Sequence, residues 1–303
     1  MCGIGGIVNL SEKNTKLDKS NINIIRKILK SRGSDSDKIC ISKKKDTALT
    51  IQRLATQDQR SIANQPCFSS DQNIILIMNG EIYNHRQLKK ILIKHNYKFL
   101  SNNDAEVAAN AYHFWGKKFL NKLDGQFAIF ALDQRTNEGL IARDKHGISP
   151  LFYCSYNNRL VFSSNPESIH KQLKLKLEIS KKGFADFLVS GCMTENNTFF
   201  EKIKFLSPGS YIDFKVNKLF KKQKSYLKKE KKISLKKISN PAKEITLTLL
   251  KSVKTRLQGN KKVGIFLKNI CIQQSELNTC FFNPLLWKIW SFAEWFEREQ
   301  KVY

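Results

Sequence analysis

The sequence predicts an α+β domain in which helices cover β-sheet, and three observations support this. The chain has 303 residues, of which 41% are hydrophobic, and this is enough for a sizeable core. Short runs of Ile, Leu, Val and Phe bounded by turn residues indicate several strands. Between them lie a few segments with apolar residues at helical spacing. Such a strand-rich mixture is typical of a layered α+β fold.

The predicted elements follow one another along the first part of the chain. The strands cover residues 47–54, 74–80, 125–132, 139–144, 151–155 and 159–164. The helices cover residues 22–30, 84–95 and 104–123. We expect these elements to form one domain over residues 1–215.

The rest of the chain differs in composition. Residues 216–240 are rich in Lys and have little apolar periodicity, so they are predicted to be a linker. Residues 241–303 begin with a proline at the first turn of a predicted helix. A short buried-strand pattern follows at 262–267. We expect this third region to be a separate, smaller unit.

The formal net charge of +27 raises the question of nucleic-acid binding. The excess is nearly all Lys and is densest in residues 214–239, where we find no regular interleaving of aromatic residues and no recognisable nucleic-acid-binding motif. Charge runs of this kind are commonly solvated faces. We therefore expect no nucleic-acid partner.

Cysteine usage and hydropathy predict a cytoplasmic protein. The seven cysteines include no C-x-x-C pair of the kind that zinc and redox sites use, so no metal site is predicted. No stretch of the sequence has the eighteen or so uncharged apolar residues of a membrane span. The apolar run after the first residues is too short for a secretion signal.

The N-terminus, MCGIGGIV, places a cysteine at position 2. Removal of Met1 would give Cys2 a free α-amine, whose ordinary pKa of about 8 suits it to accept the thiol proton. Cys and Thr nucleophiles activated by an N-terminal amine are an established chemical solution. Taken alone, the dipeptide equally describes an ordinary second-position cysteine.

A second segment, IMNGEIYNH, places Asn79 and Gly80 at the end of a predicted strand. An Asn amide and a bare backbone N–H can point at one oxygen, which is the basis of an oxyanion hole. Taken alone, the Asn-Gly pair favours a hairpin turn.

These two segments occur in an ordered set with SRGSD, QRLATQ, NNDAEV, LDGQFAIFALD, ARDKHGISPLFY and SSNPES. As a set, over residues 1–215, they resemble the class II glutamine amidotransferase domain of asparagine synthetases. The resemblance implies an N-terminal-nucleophile (Ntn) hydrolase fold, a four-layer αββα sandwich of two antiparallel sheets between helices.

The resemblance also implies roles for individual residues. Cys2 would attack the side-chain amide of glutamine to form a thioester, with Asn79 and the Gly80 N–H stabilising the oxyanion. Arg53 would bind the α-carboxylate, and Glu81 and Asp104 the α-ammonium. For these last three residues, surface ion pairs are the alternative. The implied glutamine contacts are Arg53, Leu54, Ala55, Thr56, Gln57, Asn79, Gly80, Glu81 and Asp104.

Two positions depart from the family pattern. Ser34 stands where the family has the proline of RGPD, and Ala55 stands where it has the serine of RLSI. Neither change removes the nucleophile or an oxyanion donor. We expect a chemically complete glutaminase site that needs no cofactor.

The synthetase half of the pattern is interrupted. In the family a Gly-rich loop, SGGxDS, follows a strand such as VGIFL and binds the pyrophosphate of ATP. Here Lys268, Asn269 and Ile270 follow Leu267, a position that flanks the nucleotide in the family. ATP and Mg²⁺ act in the intact family, but we expect no such binding loop here. Residues 241–303 would be a truncated remnant of an α/β ATP-pyrophosphatase-type synthetase domain.

The sequence therefore predicts a glutaminase of the asparagine synthetase type that has lost ATP-dependent conversion of aspartate to asparagine. A non-catalytic or decaying fragment, with a regulatory role or none, is the alternative. The expected partners are glutamine and either further copies of the chain or a separate synthetase chain.

Overall fold

The computed structural model describes residues 2–190, 193–194, 196–218, 223–227, 240–257, 265–267 and 270–272. The chain divides into two compact units, Met1–Lys229 and Glu230–Tyr303. The first unit carries every predicted site residue except Leu267.

The first unit is built from twelve strands and five α-helices within the described residues. The strands are β1 (Gly3–Asn9), β2 (Ser36–Ile41), β3 (Thr47–Arg53), β4 (Cys67–Phe68), β5 (Ile74–Ile82), β6 (Gly125–Asp133), β7 (Glu138–Arg143), β8 (Phe152–Tyr156), β9 (Arg159–Ser163), β10 (Lys204–Phe205), β11 (Ser210–Lys215) and β12 (Lys224–Ser225). The helices are α1 (Asn23–Leu29), α2 (His85–Lys94), α3 (Asp104–Trp115), α4 (Pro166–Leu173) and α5 (Lys181–Ser190).

The strands form two six-stranded sheets. The first sheet has the order β10-β8-β9-β1-β3-β2, and the second has the order β12-β11-β7-β6-β5-β4. Neighbouring strands in both sheets are antiparallel. In the first sheet β1 lies between β3 and β9, so the N-terminal strand is central.

An apolar layer separates the two sheets and forms the central core. Its side chains include Ile4, Ile51, Ile77, Phe130 and Phe162, all nearly inaccessible to solvent. The ring of Phe130, on the second sheet, stacks on that of Phe162, on the first, with a centroid distance of 5.0 Å. These contacts hold the inner faces together.

Helices cover the outer face of each sheet. Ile25 of α1 and Ile169 of α4 pack with Val161 on the first sheet. Leu92 of α2 and Val107 of α3 belong to the cluster on the outer face of the second sheet. The result is a four-layer αββα sandwich, which confirms the predicted Ntn fold class.

Both faces of β5 are buried, which explains its continuous apolar run. Ile75 and Ile77 point into the layer between the sheets, whereas Leu76 and Met78 pack with the residues of α2 and α3. Because side chains alternate along a strand, Asn79 lies on the same face as Ile75 and Ile77.

All six predicted strands are present, with ends within two residues of those observed. The predicted helix over 104–123 is too long: Gly116 adopts a φ of +53°, which ends α3 at Trp115, and a 3₁₀ helix follows over Gly116–Lys122. The sequence did not predict β1, since its three glycines have low strand propensity and only its place between two other strands makes it regular.

The second unit contains α6 (Pro241–Arg256), β13 (Ile265–Leu267) and β14 (Ile270–Ile272), the two strands being antiparallel partners. Asn240 caps α6 by accepting from the Lys243 N–H at 3.0 Å, with Pro241 in the first turn. The strand β13 lies within the predicted strand 262–267. The predicted synthetase remnant covers residues 241–303, and most of it beyond residue 257 lies outside the described residues.

The predicted linker over 216–240 includes part of the first unit, because β12 pairs with β11. Tyr226 extends this contact by donating its hydroxyl to the Arg143 carbonyl at 2.9 Å. None of the helices that the structure describes is long and apolar enough to cross a membrane.

Replacing Phe130 by Ala is expected to lower the free energy of unfolding by about 3–5 kcal/mol, since it removes the ring that links the two sheets and leaves a cavity. Urea unfolding followed by intrinsic fluorescence measures the change. Phe184→Ala is the control, because Phe184 is 48% exposed on α5 and its loss should cost about 1 kcal/mol or less. Equal effects of the two substitutions would contradict the role of the inner layer.

Candidate active site

Cys2 lies immediately before β1, at the edge of the layer between the sheets. Its side chain is 9% exposed and packs in the same cluster as Ile4 and Ile77. Its sulfur accepts the N–H of Leu54 at 3.3 Å, and the Leu54 carbonyl lies 3.7 Å from the same sulfur. Two bonds between Ile4 and Ser164, of 3.1 and 2.9 Å, fix the start of the strand.

Burial raises the pKa of the Cys2 thiol above its ordinary value. The Leu54 N–H and the guanidinium of Arg53 lower this pKa, while the carboxyl of Asp104 raises it. A thiol with a raised pKa stays protonated at neutral pH, so attack by its sulfur requires a base. The same interactions show that Arg53 and Asp104 act electrostatically on Cys2.

The SRGSD segment ties Cys2 to the residues after β3. The Arg32 Nε donates to the Cys2 carbonyl at 3.1 Å. The Asp35 carboxylate accepts the Ala55 N–H at 2.7 Å, and the Asp35 N–H donates to the Arg53 carbonyl at 2.9 Å. This short segment therefore fixes both Cys2 and the loop that follows β3. Ser34, where the family pattern has proline, is exposed and leaves these bonds in place.

Asn79 lies within β5 and not in a hairpin turn, since it pairs with Ala128 and the strand continues to Ile82. Its side chain is 1% exposed, and within the described residues neither atom of its carboxamide has a hydrogen-bond partner. Leaving a buried amide unpaired costs about 1–3 kcal/mol, so it indicates a ligand-binding role.

The neighbouring Gly80 has a φ of +145°, and a Cβ at this position would lie 2.0 Å from the Gln126 carbonyl oxygen on β6. Only glycine fits here. The side chain of Gln65 binds both backbone groups of Met78, at 3.0 and 2.6 Å, and so holds the strand beside Asn79. Gln65 could not be predicted from the sequence, because no local motif marks a side chain that bonds to a strand thirteen positions away.

Arg53 ends β3 and is 5% exposed, so it is not a surface ion-pair residue. Its guanidinium donates to the Asn64 side-chain oxygen at 2.7 Å and to the Asp58 carbonyl. Both partners belong to the loop after β3 and are uncharged acceptors. The positive charge of the guanidinium is thus oriented without being neutralised by a described carboxylate.

Asp104 and Glu81 are neighbouring carboxylates at the same end of the site. Asp104 is 6% exposed and accepts the Ile82 N–H at 2.7 Å. Burial, with a further contribution from Glu81, raises the pKa of Asp104 to about 7. Glu81 accepts from the Gln57 side chain at 2.8 Å. In the part of the chain that the structure describes, neither carboxylate forms a salt bridge, so the surface ion-pair alternative does not describe them.

The remaining predicted site residues fall into two groups. Leu54 touches the Cys2 sulfur, Ala55 is buried and held by Asp35, and Thr56 has an exposed side chain. Leu267 lies in β13 in the second unit, and its side chain is outside the described residues. The structure therefore gathers the glutamine-site residues in the first unit.

Arg143 and Asp144 support the fold around β7 and the loop after it. Arg143 donates to the carbonyls of Ser149 and Leu206, at 2.9 and 2.8 Å. Asp144 is fully buried and accepts backbone N–H groups from both sides, including Phe127 at 3.3 Å and Ser149 at 3.0 Å. Their bonds are to backbone, as expected for supporting residues.

Solved amidotransferase structures share this fold. A glutamine phosphoribosylpyrophosphate (PRPP) amidotransferase from B. subtilis, complexed with ADP and GMP, matches with a TM-score of 0.54 at 19% identity, covering 75% of this chain and 49% of that one. A structure described as the allosteric regulatory enzyme of purine biosynthesis matches with a TM-score of 0.50 at 19% identity. The chain therefore has an Ntn-type fold, with a cysteine just before a central strand.

Sequence comparisons identify the family. A family model described as a glutamine amidotransferase domain matches residues 1–227. Asparagine synthetase [glutamine-hydrolyzing] 2 of Bacillus subtilis (strain 168) is 30% identical over 234 residues, which are 75% of this chain and 30% of that protein. An asparagine synthetase [glutamine-hydrolyzing] of Asparagus officinalis is 37% identical over 152 residues, 50% of this chain and 25% of that protein.

The chain belongs to the glutamine amidotransferase domain family, in the form related to asparagine synthetases. It spans less than a third of the length of these two curated relatives.

Replacing Asp104 by Asn is expected to change the dependence of stability on pH. The pKa of Asp104 in the folded protein, about 7, exceeds its ordinary value of 3.8, so ionisation destabilises the wild-type fold as the pH rises through this interval. Asn cannot ionise. The free energy of unfolding of the variant, relative to wild type, should therefore increase from about pH 4 to about pH 7.

Urea unfolding at several pH values measures this difference. Glu12→Gln is the control, because it makes the same kind of change at an exposed carboxylate. A constant difference between wild type and Asp104→Asn would show that the carboxyl titrates normally.

Proposed function

We propose that this chain hydrolyses the side-chain amide of glutamine to glutamate and ammonia, with Cys2 as the nucleophile. The observation that supports this most directly is the buried carboxamide of Asn79, which has no partner among the described residues and shares the inter-sheet face with Cys2. The N–H of this carboxamide is free of other partners among the described residues, so it can donate to an oxyanion without first breaking another hydrogen bond. Family membership points to the same chemistry.

In the proposed reaction Met1 has been removed, and the free α-amine of Cys2 takes the proton of the thiol. The sulfur attacks the amide carbon of glutamine, and a C–S bond forms as the carbonyl electrons move to oxygen. The Asn79 side-chain N–H and the Gly80 N–H would stabilise this oxyanion. The C–N bond then breaks, and the leaving nitrogen takes the proton from the α-ammonium of Cys2 and departs as ammonia.

The product of this first half is a thioester between Cys2 and the glutamyl group. Water, deprotonated by the α-amine, attacks the thioester carbon and gives a second oxyanion at the same position. Breaking the C–S bond releases glutamate, and the sulfur recovers its proton from the α-ammonium. The raised pKa of the buried thiol supports a mechanism in which the base acts at the moment of attack.

The charged side chains around Cys2 are suited to bind the two charged groups of an amino acid, its α-carboxylate and its α-ammonium. The Arg53 guanidinium would bind the α-carboxylate, for which its planar fork of donors is well shaped. Glu81 and Asp104 would hold the α-ammonium. Burial raises the pKa of Asp104, and a cation beside this carboxyl would favour its ionised form. Leu54, Ala55, Thr56 and Gln57 would line the pocket.

The proposal concerns the glutamine half-reaction, for which it invokes no metal or cofactor. ATP and Mg²⁺ would serve asparagine synthesis in the intact family, but the segment after β13 that would meet them lies largely outside the described residues. The loss of synthesis, the delivery of ammonia to a separate synthetase chain, self-association and a cytoplasmic location all stay predictions.

Cys2→Ala should abolish glutamate release from glutamine, because it removes the thiol that attacks the amide carbon. An enzyme-coupled glutamate assay measures the rate, and mass spectrometry verifies that Met1 is absent from the wild type. Cys40→Ala is the matched control, since Cys40 is a half-buried free cysteine on β2 and should be dispensable. Wild-type protein that lacks Met1 and still releases no glutamate would refute the proposal.

Asn79→Ala should lower kcat by about 100- to 1,000-fold, the usual effect of losing one oxyanion donor. Binding of glutamine should change little, because the donor acts on charge that develops after attack. Steady-state kinetics give kcat, and calorimetry in a Cys2→Ala background gives Kd. Asn73→Ala, on the turn before β5, serves as control; a parallel loss of kcat there would assign the effect to the strand as a whole.

A further inference from the structure

The loop after β3 reaches across to the second sheet through one side chain. The Gln57 Nε2 donates to the Glu81 Oε1 on β5 at 2.8 Å, and both residues are half-buried. The loop is held on either side of Gln57, by the bond from Ala55 to Asp35 at 2.7 Å and by the Asp58 carboxylate, which accepts the Asn102 N–H at 3.1 Å. The backbone on both sides of Gln57 is therefore held in place while its side chain contacts Glu81.

Glu81 belongs to the pair of carboxylates that, in the proposed function, holds the substrate ammonium. Among the described residues no Lys or Arg forms a salt bridge with either Glu81 or Asp104. The carboxamide of Gln57 thus supplies a neutral donor to a position that a cation would satisfy better. An incoming ammonium would therefore meet a carboxylate to which the Gln57 amide already donates.

We infer that Gln57 competes with the α-ammonium of glutamine for Glu81, and that this competition sets the affinity of the site for its substrate. The inference rests on the proposed function and adds a determinant of affinity within the same site. In the structure the Gln57 amide donates to Oε1 of Glu81. Glutamine binds when its ammonium takes that place and the Gln57 side chain turns away.

The exchange favours the substrate because an ammonium interacts with a carboxylate more strongly than a neutral amide does. The bond from Gln57 must nevertheless be broken, and this weakens binding. For a hydrogen bond to a charged group between half-exposed side chains, the expected effect on Kd is about three- to tenfold.

The test compares two ligands on matched variants in a Cys2→Ala background, where glutamine is not consumed. The ligands are glutamine and glutaramate, the analogue that lacks the α-ammonium group. Gln57→Leu should bind glutamine about three- to tenfold more tightly by calorimetry and leave the Kd of glutaramate unchanged. With Cys2 present, Gln57→Leu should lower the KM for glutamine by a similar factor.

Gln59→Leu is the matched control, because Gln59 is an exposed glutamine in the same loop and should leave both Kd values unchanged. Urea unfolding verifies that neither substitution unfolds the chain. Equal or weaker binding of glutamine to Gln57→Leu would overturn the inference. Equal tightening of glutaramate would also overturn it, since that result indicates a loosened loop and no competition for the ammonium site.

These outcomes are separable from failure of the proposed function. If the wild type releases glutamate but Gln57→Leu binds glutamine no more tightly, the competition is wrong and hydrolysis stands. If the wild type lacks Met1 and releases no glutamate, hydrolysis is wrong, and tighter binding of glutamine to Gln57→Leu alone would still support the competition.

Discussion

The apolar layer between the two sheets is the interaction on which the candidate active site depends. Cys2 belongs to the first sheet, whereas Asn79 and Glu81 belong to the second, so these groups meet because the inner faces pack together. The stacked rings of Phe130 and Phe162 are part of that packing. A sheet in isolation would carry half of the site.

Burial has two opposite consequences for the chemistry. It removes water from Cys2 and Asp104, which strengthens electrostatic interactions in the site. It also disfavours the charged form of each group, and the pKa of both is raised. The Cys2 thiol therefore needs a base beside it to lose its proton, and the Asp104 carboxyl needs a cation beside it to ionise readily. In the proposed function the α-amine of Cys2 and the substrate ammonium fill these two roles.

The loop after β3 connects the two halves of this arrangement. At Leu54 it bonds to the Cys2 sulfur, at Ala55 it is held by Asp35, and at Gln57 it reaches Glu81 on the other sheet. Cys2 and Glu81 are thus linked by four consecutive residues, Leu54 to Gln57. A ligand that moves Gln57 acts on a segment that also touches the nucleophile.

Much of the fold could be predicted because its strongest signals are local. The runs around Ile77 and Phe130 are apolar enough to predict strands β5 and β6, and the ordered motifs carried the resemblance that implied the sandwich. The end of α3 at Gly116 and the glycine-rich strand β1 could not be predicted in the same way. The helix ends because Gly116 adopts a positive φ, and β1 is regular because it pairs with two neighbouring strands.

The sequence by itself determined which chemical groups the chain has and in what order: a cysteine after Met1, the Asn79-Gly80 pair, and the residues of the loop after β3. Only the tertiary structure decided that Asn79 lies in a strand with its amide buried and unpaired among the described residues. The same is true of the hydrogen bond that Gln57 donates to Glu81. The physical reason is that burial, pairing and pKa depend on contacts between residues far apart in the chain, and spacing along the sequence does not specify those contacts.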